Sequence, residues 1–294
     1  MRVVAVVGPT AAGKSDLGVS LARAIGGEVV NADSMQLYRG MDIGTAKLSV
    51  AEQQGVPHHL LDVWDVRVTA TAAAYQQLCR STLDGLTARG VTPVVVGGSG
   101  LYVRAALDAM DFPGTDPVLR AELEADLAAG GPVPLHARLA ALDPDAAARM
   151  EPTNGRRVVR ALEVVLLTGH MPGRMTSYEA HVPTVYVGLD RPDLAERVAT
   201  RVDRMWERGL LAEVEGLDGL REGVTASRAL GYAQALGQLD GTLDEAAAKD
   251  LTVAATRRFV RRQRAWFRRD PRVRWLDPDQ DLLRQAQEAL LSTG

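Results

Sequence analysis

Residues 8–15 read Gly8-Pro9-Thr10-Ala11-Ala12-Gly13-Lys14-Ser15, the spacing GxxxxGKS. Glycines at the first and sixth positions let backbone N–H groups turn toward a phosphate, and a helix beginning at the loop would point its N-terminus the same way. Lys14 would reach the terminal phosphates and Ser15 would ligate Mg²⁺. The flanks suit this chemistry. An apolar run, Val3-Val4-Ala5-Val6-Val7, precedes the loop, and a helical pattern through Leu17, Leu21 and Ile25 follows it. The loop alone leaves open which phosphate is held, and whether it is transferred or departs.

Two further segments belong with it. Gly97-Gly98-Ser99-Gly100 follows the apolar run Val94-Val95-Val96, and such loops at strand ends line the ligand crevice of open α/β sheets. Asp33 follows the apolar segment Glu28–Ala32 and faces the same crevice. Its carboxylate could support a magnesium, bind a substrate, act as a general base, or cap a helix starting at Ser34. Phosphate-loop ATPases and GTPases usually hold magnesium with an acid at a strand end. Here residues 93–97 end in Gly-Gly instead.

The elements that must position these residues follow from the pattern. Strands are expected at 2–7, 28–31, 93–97, 184–189 and 273–276, with a helix at 71–89. Strands alternating with helices predict an α/β fold with a parallel sheet. From 113 to 182 the helical runs are broken by Pro117, Gly130-Gly131-Pro132, Pro144, Pro152 and Pro172-Gly173, with no convincing strand. This predicts an all-helical insertion in a core made of residues 1–112 and 183–294. Helices are expected beyond it at 193–215, 225–238, 244–269 and 279–292.

Composition narrows the class. The chain has 294 residues, 46% of them hydrophobic, enough for a large core. No apolar run reaches the roughly 18 residues of a membrane span, and a strand with a phosphate loop behind it is not a signal peptide. A single cysteine, Cys79, permits no internal disulfide and suits a reducing cytoplasm. The adjacent His58 and His59 diverge and have no neighbouring partners to complete a metal set, so they read as structural. Trp206 and Trp266 lie at helical spacing and read as core. Net charge is −3, yet residues 257–274 carry nine arginines against one acid, Asp270.

Taken in order, these segments resemble the tRNA dimethylallyltransferases, also called tRNA isopentenyltransferases. The resemblance is carried by GPTAAGKS at 8–15, NADSMQLYRGMDIGTAK at 31–47, PHHLLD at 57–62 and GGSGLY at 97–102. It continues through RRVVRALEV at 156–164, ALGYAQAL at 229–236 and ATRRFVRRQRAWFR at 255–268. The phosphate loop is widely shared; MDIGTAK together with GGSGLY and RRQRAWFR is specific.

The resemblance implies a nucleotide-kinase-like core and a helical insertion that grips the anticodon stem. It implies transfer of a dimethylallyl group from dimethylallyl diphosphate to N6 of the adenosine 3′ of the anticodon, in tRNAs reading codons that begin with U. Mg²⁺ is expected, ATP is not consumed, and a monomer is expected. Residues 8–15 then hold a departing diphosphate, with Ser15 on the metal. Asp33 would be the general base, with Ser34, Met35 and Gln36 against the base and its neighbours. The family usually has Thr where this chain has Ser99, whose hydroxyl would serve near the diphosphate or N6. Arg201 matches a diphosphate-binding arginine, although Arg197 lies one turn earlier on the same face. Arg156, Arg157 and Arg160 in the insertion, and Arg257, Arg261, Arg264 and Arg268 on a basic helix, would contact the RNA. The rival reading is a small-molecule or nucleotide kinase, which leaves MDIGTAK and the arginine run without a task.

Overall fold

The computed structural model describes residues 2–171 and 177–292. Its described residues form two compact units, Met1–Ala109 with Glu179–Gly294, and Met110–Tyr178. Of the predicted breaks, Pro172 and Gly173 lie outside the described residues.

The larger unit is built on six parallel strands: β1 (Val3–Val7), β2 (Glu28–Asn31), β3 (His58–His59), β4 (Pro93–Gly97), β5 (Thr184–Gly188) and β6 (Val273–Trp275). Their order is β3-β2-β4-β1-β5-β6. The central strands are almost all valine and are buried on both faces, as parallel strands covered by helices must be. Side chains alternate between two cores. Val4 and Val6 join Val94, Val96, Val185 and Val187 on one face, against α1 (Lys14–Ile25), α8 (Leu194–Glu207) and α12 (Leu282–Leu291). Val3, Ala5 and Val7 join Val30, Val95 and Tyr186 on the other, against α2 (Ala72–Ala88) and α3 (Gly100–Leu107). The sheet therefore holds the ends of β1, β2 and β4 side by side, with β1 paired to β4 from Val4–Val94 to Val7–Gly97.

Helix starts differ in a way that matters. Thr71 caps α2, and Asp244 caps α11 (Glu245–Phe267), each through a side-chain oxygen. At α1 the N-cap is Gly13, with φ 95° and no side chain to offer. The first-turn N–H groups of α1 are thus left for a ligand.

The second unit contains α4 (Pro117–Gly130), α5 (Pro132–Leu142), α6 (Pro144–Ala148) and α7 (Gly155–Thr168). Leu123, Leu135, Leu139, Val158 and Leu162 form its core. Glu163 is fully buried there and is neutralised by Arg120 and Arg160, while it accepts the Asp116 N–H at 3.2 Å. The sequence limits of 113 and 182 shift because backbone bonds decide them. Ala109 N donates to Glu179 O at 2.8 Å, and His181 N to Leu107 O at 2.8 Å, so 179–182 belong to the larger unit.

Other differences have local causes. The predicted helix 193–215 is two, α8 and α9 (Leu210–Gly216), separated by Gly209 at φ 91°. The predicted helix 225–238 is a 3₁₀ turn at Ala226–Arg228, then α10 (Tyr232–Leu239) after Gly231 at φ 89°. The His58-His59 pair forms β3, an edge strand too short for a periodic signal. Among the described residues no helix is long and apolar enough to cross a membrane.

Asp108 anchors the end of α3. It is 1% exposed and takes Arg104 Nε at 2.6 Å and Arg272 Nη1 at 2.7 Å, with the Tyr186 hydroxyl donating at 3.3 Å. Removing one partner of a buried ion network leaves uncompensated charge. Asp108→Ala is therefore expected to lower unfolding free energy by about 3–5 kcal/mol, measured by urea denaturation.

Candidate active site

The phosphate loop leaves β1 at Gly8, whose φ is 139° and whose added Cβ would lie 2.1 Å from Leu189 O. Only glycine fits there. Ala11, at φ 65°, takes the left-handed backbone without being glycine. Lys14 Nζ donates to Pro9 O at 2.7 Å, folded across the loop it serves. Arg201 Nη1 donates to Thr10 Oγ1 at 3.1 Å and its Nη2 to Thr45 O at 3.1 Å. Arg197 Nε donates to Ala11 O at 2.8 Å. Both arginines from α8 thus reach this loop, but Arg201 is much the more enclosed.

Asp33 follows β2 through a side-chain scaffold. Asn31 Oδ1 accepts the Asp33 N–H at 2.9 Å, and Asn31 Nδ2 donates to the carbonyls of Asp33 and Leu60 at 3.0 Å each. Asp33 Oδ1 accepts the Met35 N–H at 3.0 Å. That is a local turn, and no helix follows it, so the capping explanation falls away. Ser99 Oγ accepts the Ser34 N–H at 3.3 Å and lies 3.3 Å from Ser34 Oγ, which ties the second glycine loop to the Asp33 loop. Gly97 has no room for a side chain: a Cβ would sit 2.2 Å from Ala32 O.

The segment 42–47 closes another side. Glu213, on α9, accepts the N–H groups of Asp42, Ile43 and Gly44 at 3.1, 2.6 and 3.3 Å, and the Tyr232 hydroxyl at 2.5 Å. This fixes the Thr45 carbonyl that receives Arg201. Gln36 Nε2 donates to the same carbonyl at 3.1 Å. Lys47 joins Asp42 at 2.6 Å and Asp62 at 2.5 Å, so this lysine is structural. Glu213 does not stand out in the sequence, because a backbone-binding carboxylate on a short helix looks like any surface acid; Tyr232 falls within ALGYAQAL, a segment that carries the resemblance without showing this role.

Two cavities meet here. One, of about 580 Å³, is lined by Thr10, Lys14, Ser15, Arg197 and Arg201, among others. The second, of about 320 Å³, is more apolar, with Met35, Val198, Val202, Leu230 and Phe259 in its walls beside Ser34, Ser99 and Arg262. Thr10, Asp33, Thr45, Arg201 and Met205 line both. His58 lines the larger one, but its Nδ1 lies 2.8 Å from Val56 O and His59 Nε2 pairs with Glu28 at 2.6 Å. Among the described residues no group of three or more His, Cys, Asp or Glu could hold a metal.

The larger cavity is electropositive, with Lys14, Arg197, Arg201, Arg204 and Arg208 among its lining residues. Burial pushes the Lys14 ammonium down to about 8; Asp33 opposes the fall and Arg201 adds to it. Burial also lowers Arg201, again opposed by Asp33. Two cations share one carboxylate, and an anion would complete the balance.

The arginine run is less uniform than its composition suggests. Arg264 Nε and Arg268 Nη2 bind Asp190 at 2.8 and 2.9 Å, and Arg264 Nη2 also donates to Arg191 O at 2.6 Å. Arg272 is held by Asp108 and Asp270, and Arg274 donates to Ala289 O. Arg257, Arg258, Arg261 and Arg262 are the exposed ones on α11, with Arg257 also donating to Ala195 O at 3.1 Å. In the helical unit Arg156 and Arg157 are exposed, whereas Arg160 binds Glu163, Pro113 O and Gly114 O. Counting charges could not separate these two groups. Trp206 donates to Gln238 and Trp266 packs against the core, as expected of structural residues.

A parallel sheet with a phosphate loop after β1, facing an acid after β2, defines a phosphate-loop α/β protein with a second, more apolar chamber. Residues 36–270 match the family described as IPP transferase, and the chain belongs to that family. It is therefore a prenyl transferase. It is 63% identical to the tRNA dimethylallyltransferase of Streptomyces coelicolor over 286 residues, covering 94% of this chain and 90% of that protein. It is 61% identical over 287 residues to that of Thermobifida fusca, with the same coverage. The structure of the tRNA isopentenylpyrophosphate transferase of Bacillus halodurans aligns with a TM-score of 0.73 at 39% identity, over 100% of this chain and 96% of that one. A eukaryotic dimethylallyltransferase studied acting on tRNA aligns with a TM-score of 0.84 at 25% identity, over 99% of this chain and 80% of that one.

The lysine gives a signed pH dependence. An anion beside Lys14 raises its pKa, so binding favours the protonated form. Affinity for inorganic diphosphate is expected to be constant below about pH 8 and to fall as pH rises past it, by up to about tenfold per unit. Isothermal calorimetry from pH 7 to 9.5 measures this.

Proposed function

We propose that the protein transfers a dimethylallyl group from dimethylallyl diphosphate to N6 of the adenosine 3′ of the anticodon, in tRNAs reading codons that begin with U. The observation that carries this is the pair of cavities sharing Asp33 and Arg201. The polar chamber suits the diphosphate and the apolar one suits a base, with the reacting atoms between them. The relatives that act on tRNA supply the acceptor class.

The residues divide the work by charge. Backbone N–H groups of 11–15, Lys14 and Arg201 stabilise negative charge as the C–O bond to the prenyl carbon breaks and diphosphate leaves with the electron pair. The allylic carbon gains cation character and is attacked by N6. That nitrogen is a weak nucleophile and a very weak acid, so Asp33 accepts its hydrogen bond and takes the proton as the C–N bond forms. Such assistance contributes about 10²–10⁴-fold. Ser99 holds the Asp33 loop in place through Ser34 and turns its hydroxyl to the base chamber.

Mg²⁺ fits this donor set in a limited way. Ser15 offers one hydroxyl at the polar chamber, and the other ligands would be diphosphate oxygens and water, the usual habit of this small, hard cation. When bound it would neutralise charge on the leaving group.

The acceptor base has to be flipped from its stack, at a cost of a few kcal/mol that phosphate contacts offset. Arg257, Arg258, Arg261 and Arg262 on α11 face solvent and supply such contacts, and Arg156 and Arg157 in the helical unit supply others. Arg268, exposed although it pairs with Asp190, can join them, and Arg264 pairs with the same Asp190 and ties α11 to the segment after β5. We assign the protein to the cytoplasm as a monomer; its single thiol, Cys79, is buried and pushed up to about 11, which suits a non-reactive core residue.

Asp33→Asn keeps an acceptor for the Met35 N–H but loses the base. It is expected to lower kcat by about 10² or more with tRNA affinity within about threefold, read from single-turnover prenylation and filter binding. Unchanged turnover would refute the general base. Log affinity for tRNA should fall linearly with log salt, and Arg261→Ala should reduce the slope by about 0.7–0.9. A slope unaffected by Arg261→Ala removes this arginine from the RNA interface.

A further inference from the structure

Gln263 lies among the arginines of α11, yet it is buried and faces inward. Its Oε1 accepts the Thr10 N–H at 3.0 Å, and its Nε2 donates to Gly98 O at 2.9 Å. One carboxamide therefore spans the phosphate loop and the second glycine loop. The orientation is dictated by the partners: a backbone N–H can only donate and a backbone carbonyl can only accept. A side chain that only donated, or only accepted, would satisfy one loop and repel the other.

The fit around it is close. A Cβ on Gly98 would lie 2.4 Å from Gln263 Nε2, 3.0 Å from Gly8 O and 3.4 Å from Lys14 Nζ. The bridge thus holds the Gly98 backbone directly over the Lys14 ammonium. Thr10 carries a second tie, since its hydroxyl accepts from Arg201. From the same helix Thr256, Phe259 and Arg262 line the apolar chamber, and Trp266 packs against Gly100. Helix α11 consequently walls the apolar chamber itself and reaches the polar one through the two loops that Gln263 joins.

We propose that Gln263 is a positioning residue for prenyl transfer: its carboxamide clamps Thr10 to Gly98 and sets the spacing of the phosphate loop and the second glycine loop. The catalytic consequence rests on the diphosphate reading of the polar chamber; the clamp itself is a property of the free protein. Without it the two loops part, and Thr10, whose hydroxyl receives Arg201, loses its tie to the second loop.

Gln263→Leu removes both hydrogen bonds while keeping an apolar side chain in the buried position. Amide hydrogen exchange of the free protein reads the clamp: the amides of residues 10–13 and 98–100 are expected to exchange about tenfold faster or more, while those of β1 and β4 keep their protection. Calorimetry with inorganic diphosphate at pH 7 is expected to show affinity falling about tenfold, with the thermal midpoint moving by a few degrees at most. Unchanged exchange of both loops in the folded variant overturns the clamp, whatever diphosphate does. A wild-type protein that fails to bind diphosphate, while the two loops still lose protection in the variant, overturns the diphosphate reading and leaves the clamp standing. Should Gln263→Leu not fold, Gln263→Met, unbranched and equally unable to bridge, is measured against the same two outcomes.

Discussion

Two half-buried cations facing one carboxylate set the terms for the rest of this structure. Lys14 and Arg201 repel one another in a place where burial already disfavours both charges. Asp33 offsets part of this, and Pro9 O, Thr10 Oγ1 and Thr45 O supply hydrogen bonds. The remaining imbalance is what makes the chamber attractive to a multiply charged anion. A site balanced in advance would gain less from binding one, and less still from stabilising charge that grows on a leaving group.

Holding like charges together requires a stiff frame, and the loops around the chamber are built as one. Ala11, Ala46, Leu60 and Asp62 all have positive φ without being glycine. Each such residue costs on the order of 1 kcal/mol or more and persists only where its surroundings over-determine it. The surroundings do so with hydrogen bonds, those of Glu213 and Lys47 charge-assisted. Glu213 gathers three consecutive N–H groups, Lys47 joins Asp42 to Asp62, and Asn31 spans Asp33 and Leu60. These residues touch no reacting atom in the proposed chemistry. They decide where Asp33 and Arg201 stand relative to the phosphate loop.

Legibility in the sequence varied with the range of the interaction. The valine-rich strands were readable because burial on both faces leaves a continuous apolar run. The phosphate loop was readable because its glycines have local backbone reasons. Gln263 carried a weak signal that could have been used: it falls between Val260 and Phe267 on the buried stripe of α11, where a polar side chain needs an internal partner. Its partners lie 165 and 253 residues away in sequence, so no spacing rule could name them. Glu213 had no signal of its own, since its three bonds go to backbone groups that every residue possesses.

By itself, the sequence determined the α/β class, the phosphate loop, the chemically able residues near it, and a family resemblance spread over most of the chain. Those depend on local backbone geometry and on burial patterns a few residues long. Only the tertiary structure decided which charges are spent. Within one run of arginines, Asp108 and Asp270 hold Arg272, Asp190 holds Arg264 and pairs with the exposed Arg268, and four others on α11 remain at the surface. Electrostatic interaction falls with distance in space, and residues 74 positions apart along the chain, such as Asp190 and Arg264, become neighbours only when the sheet and its helices are assembled.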